Sequence, residues 1–197
     1  MEWLQELHFL HYILIGFGLV VLFYFMVVYN SLVALKNNVK KAWANIDVLL
    51  KQRHEELPKL VTTCKQYMGY ERDVLEKITE LRNTVNQMRT SGDILGLGSA
   101  ESHLRDALGR LFALSENYPD LKADSTFLHL QARISSLENA IADRRELYNE
   151  NATLNNIRIE QFPDIVVAFI FRFKHQPMLE FQVEELGPVD MNALFKD

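Results

Sequence analysis

Six histidines, one cysteine and 26 acidic residues are the raw material for chemistry in this 197-residue chain. Their spacing argues against the obvious reactions. A di-iron bundle needs Glu-x-x-His motifs on facing helices, and no glutamate here has a histidine three residues later. His54 and Glu55 open an H-E-x-x-H pattern, but Pro58 stands where the second zinc ligand belongs. Gly96, Leu97 and Gly98 echo a nucleotide-binding loop. They follow a helical pattern rather than a strand and lack a Walker lysine, so a flexible loop is expected. Cys64 stands between Val61 and Met68 and reads as a small apolar core residue rather than a nucleophile. His8 and His11 border an apolar run, where lipid headgroups are the expected neighbours rather than a metal. The expectation is no catalytic residue, no metal, no cofactor and no enzyme.

A second group breaks the apolar register of otherwise regular helices. Glu71 and Arg82 fall near one seam, Arg144 and Asn155 near another, with Glu138, Arg145 and Asn149 close by. Any of them that point inward must pair, because an unpaired buried charge is very costly. Two readings follow: a buried polar network that fixes which helices face each other, or a groove for a peptide or headgroup.

The elements that carry these residues are helices. Glycine and proline together number 13, and residues 120–162 contain neither, which leaves an all-β fold too few turns. Leu7 to Leu35 has no Asp, Glu, Lys or Arg. Its central 18 residues, 12–29, span about 27 Å as a helix, close to the hydrocarbon thickness of a bilayer. Trp3, Phe9 and Tyr12 at one end and Tyr24 and Tyr29 at the other suit an interfacial belt. Glu2 and Glu6 precede the run and no A-x-A site follows it, so an uncleaved transmembrane helix is expected rather than a signal peptide.

Beyond residue 30 the helical pattern continues, giving an arm of about 50 residues, or 75–80 Å, until Pro58, which should kink or break it. Val61, Cys64, Met68, Leu75, Ile78 and Val85 form one helical face. Residues 90–99 read as a loop. Leu104, Leu108 and Leu111 mark a shorter helix and 117–124 a turn. Phe127, Leu130, Ile134, Leu137, Ile141 and Tyr148 mark a last helix whose register extends through Asn155, Ile159 and Phe162. The predicted fold is all-α: the membrane helix runs into an antiparallel up-down bundle of about four long helices. The expected organisation is a short non-cytoplasmic N-terminus at 1–11, the span at 12–29, a bundle at 30–162 and an apolar C-terminal segment at 163–197.

Net charge is −5, which argues against a nucleic-acid partner. Lys36, Lys40, Lys41, Lys51 and Arg53 all follow the span and no Lys or Arg precedes it. By the positive-inside rule the N-terminus is outside and the bundle cytoplasmic. Lys36, Lys40 and Lys41 are candidates to face anionic headgroups. Residues 165–171 form a charge-free apolar run, too short to span. Ile165, Val166, Val167, Phe169, Ile170 and Phe171 are therefore candidates for bundle core, membrane interface or a contact between protomers.

Several strings in order carry a family likeness: YNSL at 29–32, NVKKAWANIDVLL at 38–50, LPKLV at 57–61, YMGYE at 67–71, YPDLKA at 118–123, FLHLQ at 127–131, ENAI at 138–141 and RRELYN at 144–149. Together, over about residues 10–175, the chain resembles the LemA family of bacterial membrane proteins. The resemblance implies a single N-terminal span plus a helical bundle and no established enzymatic activity, with some relatives tied to bacterial organelle membranes. The expected role is a self-associating scaffold or adaptor at the bacterial inner membrane. A regulatory module docking a membrane protease, receptor or peptide is the first alternative, and a membrane-remodelling protein the second. The expected partners are the membrane, further copies of the chain and a second membrane protein.

Overall fold

The computed structural model describes residues 2–180, with side chains from Leu10 onward. Expectations for the side chains of Trp3, His8 and Phe9 and for residues 181–197 of the 163–197 segment fall outside what is described. Among the described residues there are six helices and no strand: α1 (Glu2–Tyr67), α2 (Arg72–Ser91), α3 (Ile94–Ser115), α4 (Pro119–Ala123), α5 (Ser125–Glu160) and α6 (Asp164–Ile170). The all-α class and the long N-terminal apolar helix stand as the sequence indicates.

Pro58 does not break α1, which runs through it for 66 residues. A proline inside a helix removes one N–H and frees the carbonyl four residues earlier. Here that carbonyl belongs to His54, and Arg82 occupies it. The break falls instead at Gly69 and Tyr70, in a turn where the Glu71 N–H donates to the Met68 carbonyl at 3.2 Å. The face from Val61 to Val85 is thus divided between α1 and α2, and all six of its members are buried.

The expected loop at 90–99 shrinks to two residues. Gly92 adopts φ 74°, in the left-handed region that favours glycine, and closes α2. The Asp93 carboxylate accepts from the Gly96 N–H at 2.9 Å and opens α3. Gly96 and Gly98 are therefore helical, not a flexible loop. A Cβ on Gly98 would lie 2.0 Å from the Glu180 carbonyl oxygen, so the C-terminal segment crosses α3 where no side chain stands. The turn at 117–124 contains α4, which begins at Pro119.

Two compact units share α1 and α5. The first comprises, among the described residues, 2–43 and Leu147–Gln176. Its core is Val28 and Leu32 of α1, Ile159 of α5, and Val167 and Ala168 of α6, flanked by Phe25, Leu35 and Phe173. Trp43 meets Tyr148 edge-on, 5.8 Å between centroids. From Leu10 to Val27 the apolar side chains of α1 are bare apart from half-buried Phe25. This is a helix long and apolar enough to cross a membrane. α5 ends at Glu160, so Phe162 leaves the helical register and is exposed.

The second unit comprises Ala44–Glu146 and, among the described residues, 177–180. Ile46, Leu50, Leu57, Leu60 and Cys64 of α1 are buried with Leu97, Leu104, Leu108 and Leu111 of α3 and with Phe127, Leu130, Ile134, Leu137 and Ile141 of α5. α2 packs along α3. Within this unit α1 is antiparallel to both α2 and α5. Asp47 pairs with Arg89 and His54 with Arg82, seven residues forward against seven back. Arg53 pairs with Glu138 and Tyr67 with Asp124, fourteen forward against fourteen back.

Candidate functional site

In the second unit the most buried polar group is Arg53, 1% exposed. It sits one turn from Leu50 and Leu57 on the apolar stripe of α1, so its guanidinium cannot reach water. Nη1 meets Glu138 Oε1 at 2.5 Å and Nη2 meets Glu101 Oε1. Glu101 is buried on α3, in register with Leu97, Leu104 and Leu108. Burial raises the Glu101 pKa, Arg53 opposes that, and the Glu138 charge adds to it, so Glu101 lies above the ordinary carboxyl value. Burial alone would lower the Arg53 pKa, but the two carboxylates outweigh it and hold the guanidinium charged. One cation thus ties three helices together through two acids.

Arg82 is half-buried on α2 and reaches α1. Its Nε donates to the His54 carbonyl at 3.0 Å, and its Nη2 lies 2.8 Å from His54 Nε2. The imidazole must accept there, since an arginine only donates. Burial and then the Arg82 and Arg89 charges lower the His54 pKa. A small cleft of about 140 Å³ opens beside this pair, lined by Leu57, Pro58, Val61, Thr62, Ile78 and Thr79. Near the α1–α2 turn, Tyr118 Oη donates to Glu71 Oε1 at 3.2 Å. Tyr67 Oη donates to Asp124 Oδ2 at 3.0 Å while Asp124 Oδ1 caps α5 by accepting from the Phe127 N–H at 2.8 Å.

The polar residues singled out by register therefore occupy separate places. Glu138 joins the Arg53 triad, Arg82 joins His54, and Glu71 joins Tyr118. Arg144 is exposed, and Arg145 and Asn149 are half-buried on α5. The register of the polar residues does not single out Arg53, which counts in the sequence among the basic residues after the span, or Glu101. Their signal was present in the apolar register on both sides of each. Cys64 is fully buried, and burial pushes its thiol up to about 12, so no thiolate forms near neutrality. Among the described residues no three or more His, Cys, Asp or Glu are grouped to hold a metal.

In the first unit Lys36, Lys40 and Lys41 are all exposed on α1. The 165–171 run divides: Val167 and Ala168 are core, while Ile165, Val166, Phe169, Ile170 and Phe171 are exposed. α6 is held by ions and amides at both ends. Arg158 of α5 pairs with buried Asp164 at 2.6 Å, and its Nη2 donates to Ser31 Oγ of α1 at 3.4 Å. Asn156 exchanges two hydrogen bonds with the Gln176 backbone, at 2.8 and 2.9 Å, and Asn155 donates to the Lys174 carbonyl at 3.3 Å. Arg172, at φ 55°, turns the chain between them.

The sequence profile of the LemA family matches residues 42–192. The chain belongs to the LemA family. Protein LemA of Metamycoplasma hominis is 30% identical over 177 residues, covering 87% of this chain and 78% of that one. Magnetosome protein MamQ 2 of Paramagnetospirillum magneticum is 25% identical over 192 residues, covering 86% of this chain and 71% of its own. Magnetosome protein MamQ 1 of the same organism matches to the same extent.

Proposed function

We propose that this LemA-family chain is a non-catalytic, membrane-anchored helical scaffold that associates with further copies of itself at the bacterial inner membrane. The observation that carries this reading is the double use of α1. Its bare stretch from Leu10 to Val27 is long and apolar enough to span. The next turns, at Val28 and Leu32, are core residues shared with α5 and α6. A folded surface built directly onto an anchor suits a protein that holds others in place. Exposed Lys36, Lys40 and Lys41 support headgroup contact and a cytoplasmic location for the folded part.

Self-association is supported by a stripe on α5. Leu147, Leu154 and Ile157 share a helical face at spacings of seven and three, and all three are exposed. Exposed apolar patches rimmed by polar residues mark interaction sites. That relatives are named magnetosome proteins agrees with a part in an organised bacterial structure. The test is the mass of the full chain extracted in native membrane patches. A defined multiple of 22.9 kDa, reduced to one copy by Leu154→Asp with Ile157→Asp at unchanged helicity, is the expected result. One copy bound to one stoichiometric foreign protein would replace the scaffold with an adaptor.

A further inference from the structure

We propose that α6 lies in the boundary between lipid headgroups and acyl chains, as a second membrane contact beside the candidate span. This rests on reading α1 as a span. Of its apolar residues α6 turns only Val167 and Ala168 inward, onto Val28 and Leu32. The rest of its surface is apolar and open: Phe169 is 84% exposed, Phe162 just before it 79%, and Ile165, Val166 and Ile170 are exposed as well. Bilayer lipid is the occupant because this surface joins one already assigned to lipid. α6 rests on the turn of α1 that immediately follows the bare 10–27 stretch, so the two apolar surfaces meet.

The chemistry at the junction matches an interface. The Tyr29 ring lies 4.6 Å from Phe171 and 6.0 Å from Phe173, and such aromatic clusters gather at headgroup depth. The one acid of α6, Asp164, is buried and paired with Arg158, so α6 presents no free negative charge. Cations rim the patch: Lys36 Nζ stands 5.9 Å from the Phe173 ring centre, and exposed Arg172 and Lys174 follow α6. An apolar face edged by Lys and Arg is the pattern of a segment lying in an anionic lipid surface. Seven residues make a helix of about 10 Å, too short to cross and long enough to lie in the plane. The Asn156–Gln176 bonds tie down the chain after α6 and so fix which side faces out.

The test uses the full chain in vesicles of phosphatidylethanolamine and phosphatidylglycerol, with a spin label at Phe169→Cys. Buried Cys64 stays unlabelled. The readout is the ratio of collisions with oxygen to collisions with a water-soluble nickel chelate. A ratio several-fold above that of a label at Leu128→Cys, an exposed α5 site in the second unit, is the expected result. Phe162→Cys should behave likewise, and both positions are exposed enough to carry a label without disturbing the core. Nickel access at 169 equal to that at 128, with lipid-like behaviour retained at Val20→Cys, overturns the α6 proposal alone. Water-like behaviour at Val20→Cys too overturns the span reading with it. Spin–spin broadening at 169 that vanishes on dilution with unlabelled chain assigns the face to a second copy and also overturns the proposal.

Discussion

Arg82 donates to the carbonyl of His54 at 3.0 Å, and that carbonyl is the one Pro58 has no N–H to reach. A side chain on α2 thereby repairs a defect in α1. Arg82→Met should cost about 1–3 kcal/mol, the usual penalty for a buried polar group left without its partner. Pro58→Ala restores the main-chain donor, so the same Arg82→Met change should cost less in that background. Denaturant unfolding of the parent, the two single variants and the double variant checks this. Equal costs in both backgrounds would mean that the carbonyl is not what Arg82 serves.

His54 gives the same site a pH dependence. Its folded pKa is lowered, by burial first and then by Arg82 and Arg89. The unfolded chain therefore takes up a proton below about pH 6.5 that the folded chain refuses. Stability should fall as pH drops from that point, until the folded group titrates as well. His54→Gln should flatten this part of the profile, seen as a smaller loss of thermal stability between neutral pH and pH 5.

Arg53→Met should destabilise by about 3–5 kcal/mol, because it strands two carboxylates, one fully buried. Glu101 sets the opposite sign of pH dependence. Its folded pKa is raised by burial, so its contribution is whole below the unfolded carboxyl value and is lost as pH rises through the folded one. Glu101→Gln should remove that loss, so its stability should gain on the parent's as pH rises above the unfolded carboxyl value of about 4.3. Chemical unfolding of the two proteins over a pH series that starts at about pH 4 reads the difference.

Gly98 and Gly109 both lie inside α3, where alanine normally adds about 1 kcal/mol. Gly109→Ala meets nothing within 4 Å and should realise that gain. Gly98→Ala would drive its methyl into the Glu180 carbonyl, so it should destabilise and release residues 177–180 to protease. Melting curves and limited proteolysis of the pair decide the point.

Asn156→Ala removes two hydrogen bonds to Gln176, each worth about 0.5–1.5 kcal/mol. Loss of the tie should speed amide exchange at Gln176 and through α6 while leaving the second unit unchanged. Exchange mass spectrometry reads this directly.

The helix faces were legible because period is a local property: Phe127, Leu130, Ile134, Leu137, Ile141 and Tyr148 all proved buried. Pro58 and residues 90–99 misled because their outcome depends on distant or cooperative partners. The His54 carbonyl that Pro58 leaves open is met by a side chain 28 residues further on. Two glycines are drawn into α3 by the Asp93 cap and by the passage of residue 180. The polar seam residues could be picked out, but their partners could not, since a register shows that a charge faces inward and not what waits there. Arg53 was legible in principle: it interrupts Leu50 and Leu57 in step.

Arg158 reaches back 127 residues to Ser31, and this has a consequence for synthesis. At 5–20 residues per second, about 6–25 s separate the emergence of the two. During that interval the inward stripe of α1 at Val28, Leu32, Val39 and Ala42 has no α5 or α6 to cover it. The α2–α3 hairpin, closed by two residues, can form within moments, whereas the membrane-adjacent core waits for nearly the whole chain. The nascent protein passes through a stage with its anchor made and the adjoining helix still sticky, and a chaperone or a neighbouring nascent copy would meet that surface first.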